Sequence, residues 1–212
     1  MSCWALVPLK ARHQGKSRLA GVLGPGLRQQ LIGLMVEDVV AALAATRSID
    51  HIAVVSPEAI GLSVVHLPDR AAGLNGVIEA AAFELAGRGA SELVVLPADL
   101  PLVSAADIDA LVAAGRERDM ALAPDRHQRG TNAIHMAPTA GFTFHFGLFS
   151  FERHLAEAAQ RDCAAAVVRR PGLGFDVDEP ADLEQLLAQG GPRYAFLADA
   201  LRSPTWPLMQ HA

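Results

Sequence analysis

The setting of Asp99 indicates chemistry more strongly than that of any other residue. It follows an apolar run that begins at Leu93, and it lies between two prolines where a buried strand of a parallel sheet would end. Ligands of open α/β sheets collect beyond the carboxyl ends of the strands. Capping of the next helix is the structural alternative, but Ser104, followed three residues later by Asp107, is the better capping pair. We therefore predict that Asp99 binds a metal ion or a substrate.

A second chemical feature is the basic segment 9–19, which follows the short apolar run 4–8. It holds four cationic side chains within nine residues: Lys10, Arg12, Lys16 and Arg18. Such a segment at the end of a strand can hold a polyphosphate through charge-assisted hydrogen bonds, although a solvated basic loop is the structural alternative. It is not a P-loop, because that motif needs a glycine where Lys10 stands.

Two more carboxylates, Asp176 and Asp178, lie near the end of the chain. We interpret 164–168 and 174–178 as the last strands, which places both acids at a strand end. The helix that follows has Pro180 in its first turn, with further acids near its N-terminus. From these residues alone, capping of that helix and metal binding explain Asp178 equally well.

A glycine-containing segment around Asn75 precedes the helix pattern of 77–86. Gly73 and Gly76 would let a ligand approach the backbone, and the Asn75 amide can donate to and accept from a base edge or a ribose. Asn-Gly is equally good turn chemistry, so this signal is weak by itself.

The segment 126–133 follows a predicted strand at 120–125 and supplies hydrogen-bond donors from a turn, which suits a phosphate or a carboxylate. Five phenylalanines between 142 and 151 predict a hydrophobic wall beside the next turn, where Gly147 and Ser150 precede a helix. We expect the aromatic rings to belong to the core. The functional candidates are the glycine and the serine.

An α/β fold must position these residues. Apolar residues at helical spacing over 27–46 predict a long amphipathic helix, and the short β-branched runs 52–55 and 64–67 predict strands. This alternation predicts a single-domain, three-layer, Rossmann-like fold with a mostly parallel mixed sheet. We expect the domain to span 1–189, and a C-terminal helix with a surface tail to occupy 190–212.

Composition excludes several classes of protein. The chain has 212 residues, 51% of them hydrophobic, which suffices for a full core, and its net charge of -5 argues against nucleic-acid binding. Cys3 and Cys163 have no cysteine nearby, so we predict no disulfide framework and a cytoplasmic location. No apolar run approaches the roughly 20 residues of a membrane span, and the start of the chain is a poor signal peptide.

Four histidines lie in the second half of the chain: His127, His135, His145 and His154. They lack the spacing of a zinc motif, so we expect most of them on the surface or in loops. His145 is the exception, because it lies two residues before Gly147 and could face a ligand bound there.

In combination, the motifs resemble a known family. They are a strand with a basic loop, Gly-Leu-Asn-Gly, Leu-Pro-Ala-Asp-Leu-Pro, Arg-Gly-Thr-Asn, Phe-Gly-x-x-Ser and Asp-Val-Asp-Glu-Pro-Ala-Asp-Leu. This order over 4–187 is similar to the CofC/FbiD guanylyltransferases of deazaflavin coenzyme F-420 biosynthesis, which have a glycosyltransferase-A-like nucleotidyltransferase fold. The resemblance implies transfer of GMP from GTP to a three-carbon phospho-acid: 2-phospholactate, phosphoenolpyruvate or 3-phosphoglycerate. It also implies Mg²⁺, small-molecule partners only, and a homodimer.

The resemblance also implies roles for individual residues. Asp99 and Asp178, with Asp176 adjacent, would hold the metal, and Lys16 would act with them in catalysis. The implied GTP-binding residues are Leu9, Lys10, Lys16, Ser17, Arg18, Gly73, Asn75, Pro97 and Asp99. The implied acceptor-binding residues are Thr131, Gly147 and Ser150. We add His145 on its position, where a hydrogen bond to a hydroxyl would mildly favour 3-phosphoglycerate.

One departure from the family concerns Glu179, where relatives often have threonine. It adds negative charge beside the implied metal and leaves the choice between Asp176 and Asp178 open. Two rival functions also remain. One is a nucleotidyltransferase for another acceptor, such as a molybdopterin or a sugar phosphate, and the other is a nucleotide-binding module without turnover.

Overall fold

The computed structural model describes residues 1–9, 16–138 and 141–202. The strands are β1 Cys3–Pro8, β2 His51–Ser56, β3 Val65–Pro68, β4 Glu92–Val95, β5 Met120–Pro124, β6 Thr131–Met136 and β7 Ala165–Val167. The helices are α1 Pro25–Ala44, α2 Gly73–Gly87, α3 Ala105–Arg116, α4 Ser150–Gln160, α5 Pro171–Gly174, α6 Pro180–Gln189 and α7 Leu197–Leu201. Short 3-10 turns lie at Ser17–Leu19 and Pro192–Tyr194.

The seven strands form one sheet in the order β3-β2-β1-β4-β6-β5-β7. Strand β6 pairs antiparallel with β4 and β5, whereas the other four pairings are parallel. The parallel strands β1 and β4 are neighbours, so the loops that follow them leave the sheet at the same edge. The predicted α/β class and the mostly parallel mixed sheet are confirmed.

Helices cover both faces of the sheet. One face packs against α1, α3 and α6, through residues such as Leu31, Leu111 and Leu183, which are fully buried. The other face packs against α2, α4 and the phenylalanines that precede α4. Burial of these two apolar surfaces supplies the main favourable term in folding, and it fixes the edge at which the loops converge.

Three predictions about local structure are wrong. Residues 131–133, predicted as the end of a turn, open strand β6, because their side chains are buried within the sheet between β4 and β5. Residues 175–178 are not a strand, since 171–174 form a helical turn and the following segment has no ladder partner among the described residues. Helix α2 begins at Gly73 rather than at 77, which places Asn75 inside the first helical turn.

The C-terminal segment packs on the domain. Tyr194 is fully buried, and its hydroxyl donates a hydrogen bond of 2.5 Å to Asp38 of α1. Leu197 is buried in the same apolar cluster. The predicted surface tail begins at Ser203, outside the described residues. No helix among the described residues has the length and apolar character needed to cross a bilayer.

Candidate active site

The site lies beyond the carboxyl ends of β1 and β4. Asp99 follows β4 in a turn, and the next helix is capped by Ser104, which forms a complete capping box with Asp107. The predicted capping pair is therefore confirmed, and Asp99 takes no part in this cap. Its Oδ2 instead accepts a hydrogen bond of 2.8 Å from Lys16 Nζ.

Lys16 joins two distant parts of the chain. The same Nζ lies 2.7 Å from Asp178 Oδ1, so one ammonium bridges Asp99 and Asp178. The Lys16 side chain is only 9% exposed. Burial alone would lower the pKa of Lys16, but the charges of Asp99 and Asp178 outweigh burial and hold this pKa above its usual range. The ammonium is therefore charged and directed at both carboxylates.

The backbone at Lys16 is unusual as well. Its φ of 58° lies in the left-handed region, which residues other than glycine seldom occupy. Such conformations cost about 1–3 kcal/mol and concentrate at functional sites. The surrounding contacts hold this conformation and direct the side chain into the cluster of acids.

A hydrogen-bond network around Asp182 positions Asp178. The buried Asp182 carboxylate accepts from the backbone N–H groups of Asp178 at 2.8 Å and Glu179 at 2.7 Å, and it pairs with Arg126. Glu179 is the residue that caps α6, in a capping box with Asp182. Asp178 is therefore not the helix cap, and its carboxylate extends toward Lys16. Glu179 takes the capping role that threonine could also fill.

Asp176 lies beside these acids. The backbone N–H of Val177 donates to the Asp99 carbonyl at 3.1 Å, which joins the segment to the turn after β4. Asn132 orients Asp176 through a weak contact of 3.4 Å and is itself fixed by the Leu173 carbonyl at 2.9 Å. Burial, together with the charges of Asp99 and Asp178, raises the pKa of Asp176.

Two carboxylates, those of Asp99 and Asp178, thus share one ammonium, with Asp176 beside them and Arg18 Nη1 3.8 Å from Asp178 as a further cation. A set of oxygen ligands with excess negative charge is the donor chemistry that Mg²⁺ prefers. The residues present therefore fit a divalent cation.

The other predicted GTP-binding residues surround this edge of the sheet or extend away from it. Leu9 continues β1 and donates its N–H to Val55 at 2.9 Å, whereas Ser17 and Arg18 are exposed after Lys16. Pro97 is half-buried in the turn before Asp99. Lys10 lies outside the described residues.

Gly73 and Asn75 lie in the first turn of α2, and Gly73 has a φ of 74°. The Asn75 side chain bonds the backbone of Phe146 twice, accepting from its N–H at 2.8 Å and donating to its carbonyl at 3.2 Å. Asn75 therefore connects α2 to the segment before Gly147. Within the described part of the chain, these two hydrogen bonds leave one amide hydrogen and one carbonyl lone pair of Asn75 unused.

The predicted acceptor residues are brought together. The Thr131 N–H donates to Ser150 Oγ at 2.8 Å, and the Ser150 N–H donates to the Gly147 carbonyl at 3.2 Å. Gly147 has a φ of 126°, a conformation that strains any residue with a Cβ, although the space around it is open. The start of β6 and the start of α4 therefore form one compact subsite.

The histidines differ from expectation. His135 and His154 are buried, so the prediction of surface positions is wrong for both. The ring nitrogens of His145 contact Arg153 at 3.1 Å and Glu157 at 3.5 Å. The structure thus turns this ring toward α4 rather than toward the acceptor subsite.

The phenylalanine wall is confirmed for four of its five rings. The buried rings are Phe142, Phe144, Phe146 and Phe151. Phe149, at the turn between Gly147 and Ser150, is the exception with 52% exposure.

Sequence reasoning missed three residues that hold the site in place: Asn132, His154 and Asp182. A signal existed for Asp182, since an acid three residues after Glu179 is a capping-box pattern. No local pattern marks the other two, because their partners are 44 and 23 residues away in the chain.

Among the described residues, one group of three possible metal ligands has its ligand atoms within 4.8 Å of one another: Cys3, Glu92 and His135. It lies at the opposite ends of β1 and β4 from Asp99. Both Glu92 oxygens are bonded to Arg116, at 2.8 and 2.6 Å. Burial, with a further contribution from Glu92, raises the pKa of the Cys3 thiol to about 12. A neutral thiol and an already paired carboxylate make this a structural cluster.

Comparison with known proteins places the chain in a family. A protein from Sphaerobacter thermophilus named phosphoenolpyruvate guanylyltransferase is 41% identical over 192 residues, which cover 88% of this chain and 93% of the relative. A protein of the same name from Chloroflexus aggregans is 40% identical over 196 residues, covering 88% and 97%. Among solved structures, a Desulfovibrio desulfuricans protein provisionally assigned as a nucleotide-diphospho-sugar transferase superposes with a TM-score of 0.73 at 16% identity, covering 100% of this chain and 95% of that one.

The model of the family described as guanylyl transferase CofC-like matches residues 3–202. That range includes Lys16, Asp99 and Asp178, the three residues that meet at the sheet edge. The match extends over nearly all of the chain, and the identity to the named relatives is well above the level at which only the fold is shared. The chain belongs to the guanylyl transferase CofC-like family.

Proposed function

We propose that this protein transfers GMP from GTP to the phosphate of phosphoenolpyruvate, releases pyrophosphate, and thereby serves coenzyme F-420 biosynthesis. The observation that carries this proposal is the meeting of Asp99 and Asp178 on one ammonium at the sheet edge. The family and the name of the relatives support guanylyl transfer and favour phosphoenolpyruvate. 3-Phosphoglycerate and 2-phospholactate are the alternative acceptors to be tested. The homodimer stays a prediction.

We propose Mg²⁺ as the cation, held by Asp99 and Asp178 with Asp176 beside them. When bound there, Mg²⁺ would neutralise negative charge on the α-phosphate of GTP and on the attacking oxygen of the acceptor. Lys16 occupies the space between the carboxylates, so it must shift its ammonium as a cation binds. The freed ammonium then has the charge and the reach to hold phosphate oxygens of GTP.

The residues of the chain then act mainly by positioning. The acceptor subsite of Thr131, Gly147 and Ser150 would hold the phospho-acid so that one phosphate oxygen faces the α-phosphorus of GTP in line with the bond to pyrophosphate. Lys16 and Arg18 would neutralise charge that develops on the leaving pyrophosphate. No general base is required, because a phosphate acceptor is already ionised at neutral pH.

Choice among the acids depends on polar groups that reach the acceptor. The His145 ring is engaged with Arg153 and Glu157, so it has no nitrogen free to satisfy the hydroxyl of 3-phosphoglycerate. The predicted hydrogen bond from His145 therefore no longer favours 3-phosphoglycerate. This leaves phosphoenolpyruvate, which carries no hydroxyl, as the acceptor we favour.

The proposal is tested with GTP labelled at the α-phosphorus. The purified protein is incubated with Mg²⁺ and each of the three phospho-acids, and label transfer and pyrophosphate are measured together. We expect equal amounts of labelled acid product and pyrophosphate, with phosphoenolpyruvate used best. Release of inorganic phosphate in place of pyrophosphate, or no transfer to any of the three acids, would refute guanylyl transfer.

A matched pair of variants ties the activity to the site. Asp99→Asn removes one carboxylate of the cluster, whereas Asp199→Asn removes an exposed carboxylate on α7 that pairs only with Arg202 among the contacts described. Label transfer should collapse in the first variant and persist in the second. Equal activity of the two would show that the sheet edge is not where transfer occurs.

A further inference from the structure

His154 links the two halves of the acceptor subsite from within the core. It lies on α4, is fully buried, and has the rings of Phe142 and Phe146 at centroid distances of 5.7 and 5.0 Å. Its Nε2 is 2.8 Å from the backbone nitrogen of His145, and its Nδ1 is 2.9 Å from Thr131 Oγ1. Both ring nitrogens therefore have a partner.

These partners determine which nitrogen of the ring carries the hydrogen. A backbone N–H can only donate, so Nε2 must accept and cannot itself be protonated. The hydrogen of the neutral ring is then on Nδ1, from which it is donated to Thr131 Oγ1. In a doubly protonated ring, the Nε2–H of His154 would face the backbone N–H of His145, and neither group could accept a hydrogen bond. Burial lowers the pKa of His154 to about 3, with His145 and Arg153 adding to the effect and Glu157 opposing it, so the ring stays neutral at physiological pH.

The fixed ring in turn determines what the Thr131 hydroxyl does. An oxygen that accepts from Nδ1–H cannot donate its own hydrogen to the same nitrogen. The backbone N–H of Thr131 is already used by Ser150. The hydroxyl hydrogen is therefore directed away from the ring, and no contact within the described residues takes it up. The Thr131 hydroxyl can therefore donate a hydrogen bond to a bound ligand.

We propose that His154 is a positioning residue that holds the Thr131 hydroxyl as a hydrogen-bond donor to an anionic oxygen of the phospho-acid. This rests on the proposed function, in which Thr131 belongs to the acceptor subsite. His154 does not touch the substrate. It acts through Thr131, and a carboxylate or phosphate oxygen, which can only accept, is the group that the arrangement recognises.

The first test reads the tautomer directly and needs no activity. The full chain is labelled with ¹⁵N, and the two ring nitrogens of His154 are observed by NMR across pH 5.5 to 8. We expect the shifts of a protonated Nδ1 and an unprotonated Nε2 throughout that range. A hydrogen on Nε2, or a ring that titrates within the range, would overturn the proposal.

The second test separates positioning from packing. In His154→Asn the side-chain amide can replace Nδ1 as the donor to Thr131, whereas His154→Phe fills the aromatic space without any donor. Loss of one hydrogen bond to a charged group corresponds to about tenfold in affinity. We therefore expect the KM for phosphoenolpyruvate to rise about tenfold in His154→Phe and much less in His154→Asn, with the KM for GTP unchanged in both.

Thr131→Val supplies the partner for a double-mutant comparison, and His51→Asn, at the exposed start of β2, is the control for a histidine far from the site. Because His154 acts through Thr131, the Phe and Val changes together should cost no more than Thr131→Val alone. Multiplied losses, or equal rises in both KM values, would overturn the proposal. A wild-type protein that transferred GMP to none of the acids would refute the proposed function, and the NMR result would still decide the tautomer.

Discussion

Replacement of Lys16 by methionine probes the ammonium that joins Asp99 to Asp178. Methionine keeps the aliphatic stem of the side chain but leaves the carboxylates without their shared cation. Breaking a fully buried ion pair costs about 3–5 kcal/mol. Here the carboxylates are 32% and 45% exposed, so solvent screens much of that term. We expect a loss of about 1–2 kcal/mol in the free energy of unfolding without a divalent cation.

That loss should depend on magnesium. The Lys16 ammonium and the proposed Mg²⁺ compete for the same carboxylate oxygens. In Lys16→Met the ammonium is absent, so the ion binds these oxygens without competition. Millimolar Mg²⁺ should therefore stabilise Lys16→Met more than it stabilises the wild type. For a chain of this length, 1 kcal/mol corresponds to about 2–4 °C in Tm. The difference between the variant and the wild type should shrink by several degrees when the ion is added.

Thermal unfolding with and without MgCl₂ measures this difference, and matched ionic strength in NaCl separates specific binding from screening. Turnover should nevertheless fall by about a hundredfold or more, because the phosphates of GTP lose their cation. A variant that gains no more from Mg²⁺ than the wild type does would refute the idea that ammonium and metal share one site.

Asp99→Asn should retain the fold and lose about a hundredfold or more in turnover, measured as pyrophosphate release. Asp176→Asn should raise Tm at pH 7, because an acid whose folded pKa is raised destabilises the protein above that pKa. The gain should fade as pH drops toward the ordinary aspartate pKa of about 3.9, and a constant gain at all pH values would contradict this cause. Gly33→Ala, in open space within α1, should stabilise by up to about 1 kcal/mol in chemical denaturation, whereas Gly115→Ala should destabilise, because its Cβ would lie 2.0 Å from the His135 ring.

The sequence predicts a functional residue correctly where the neighbouring residues already explain the local structure without it. Asp99 was separable from a helix cap because Ser104 and Asp107 form a better capping pair only a few residues away. The same reasoning could not decide Asp178, since its neighbours Glu179 and Asp182 are both acids and either arrangement satisfies the helix. The structure decides it, because Glu179 takes the cap and Asp182 holds the backbone of Asp178.

Local sequence patterns do not predict contacts between residues that are far apart in the chain. The sequence predicts that Lys16 holds phosphates but not that it contacts the two acids. Lys16 is 83 residues from Asp99 and 162 from Asp178 along the chain, and only the folded sheet edge brings the three together. The turn predicted over 126–133 includes the start of β6, because two polar residues open a strand that is buried along its whole length. His154 likewise lies in an amphipathic helix pattern, and its buried role depends on β6.

In the proposed mechanism, carboxylates from two separate segments hold one cation together with GTP. Titration of Mn²⁺, observed by electron paramagnetic resonance, tests this in the wild type and in Asp99→Asn, Asp178→Asn and Asp199→Asn, each with GTP present. We predict that each of the first two substitutions weakens Mn²⁺ binding strongly, while the α7 control binds like the wild type. Wild-type affinity in Asp178→Asn would contradict the claim that the two segments form one metal site.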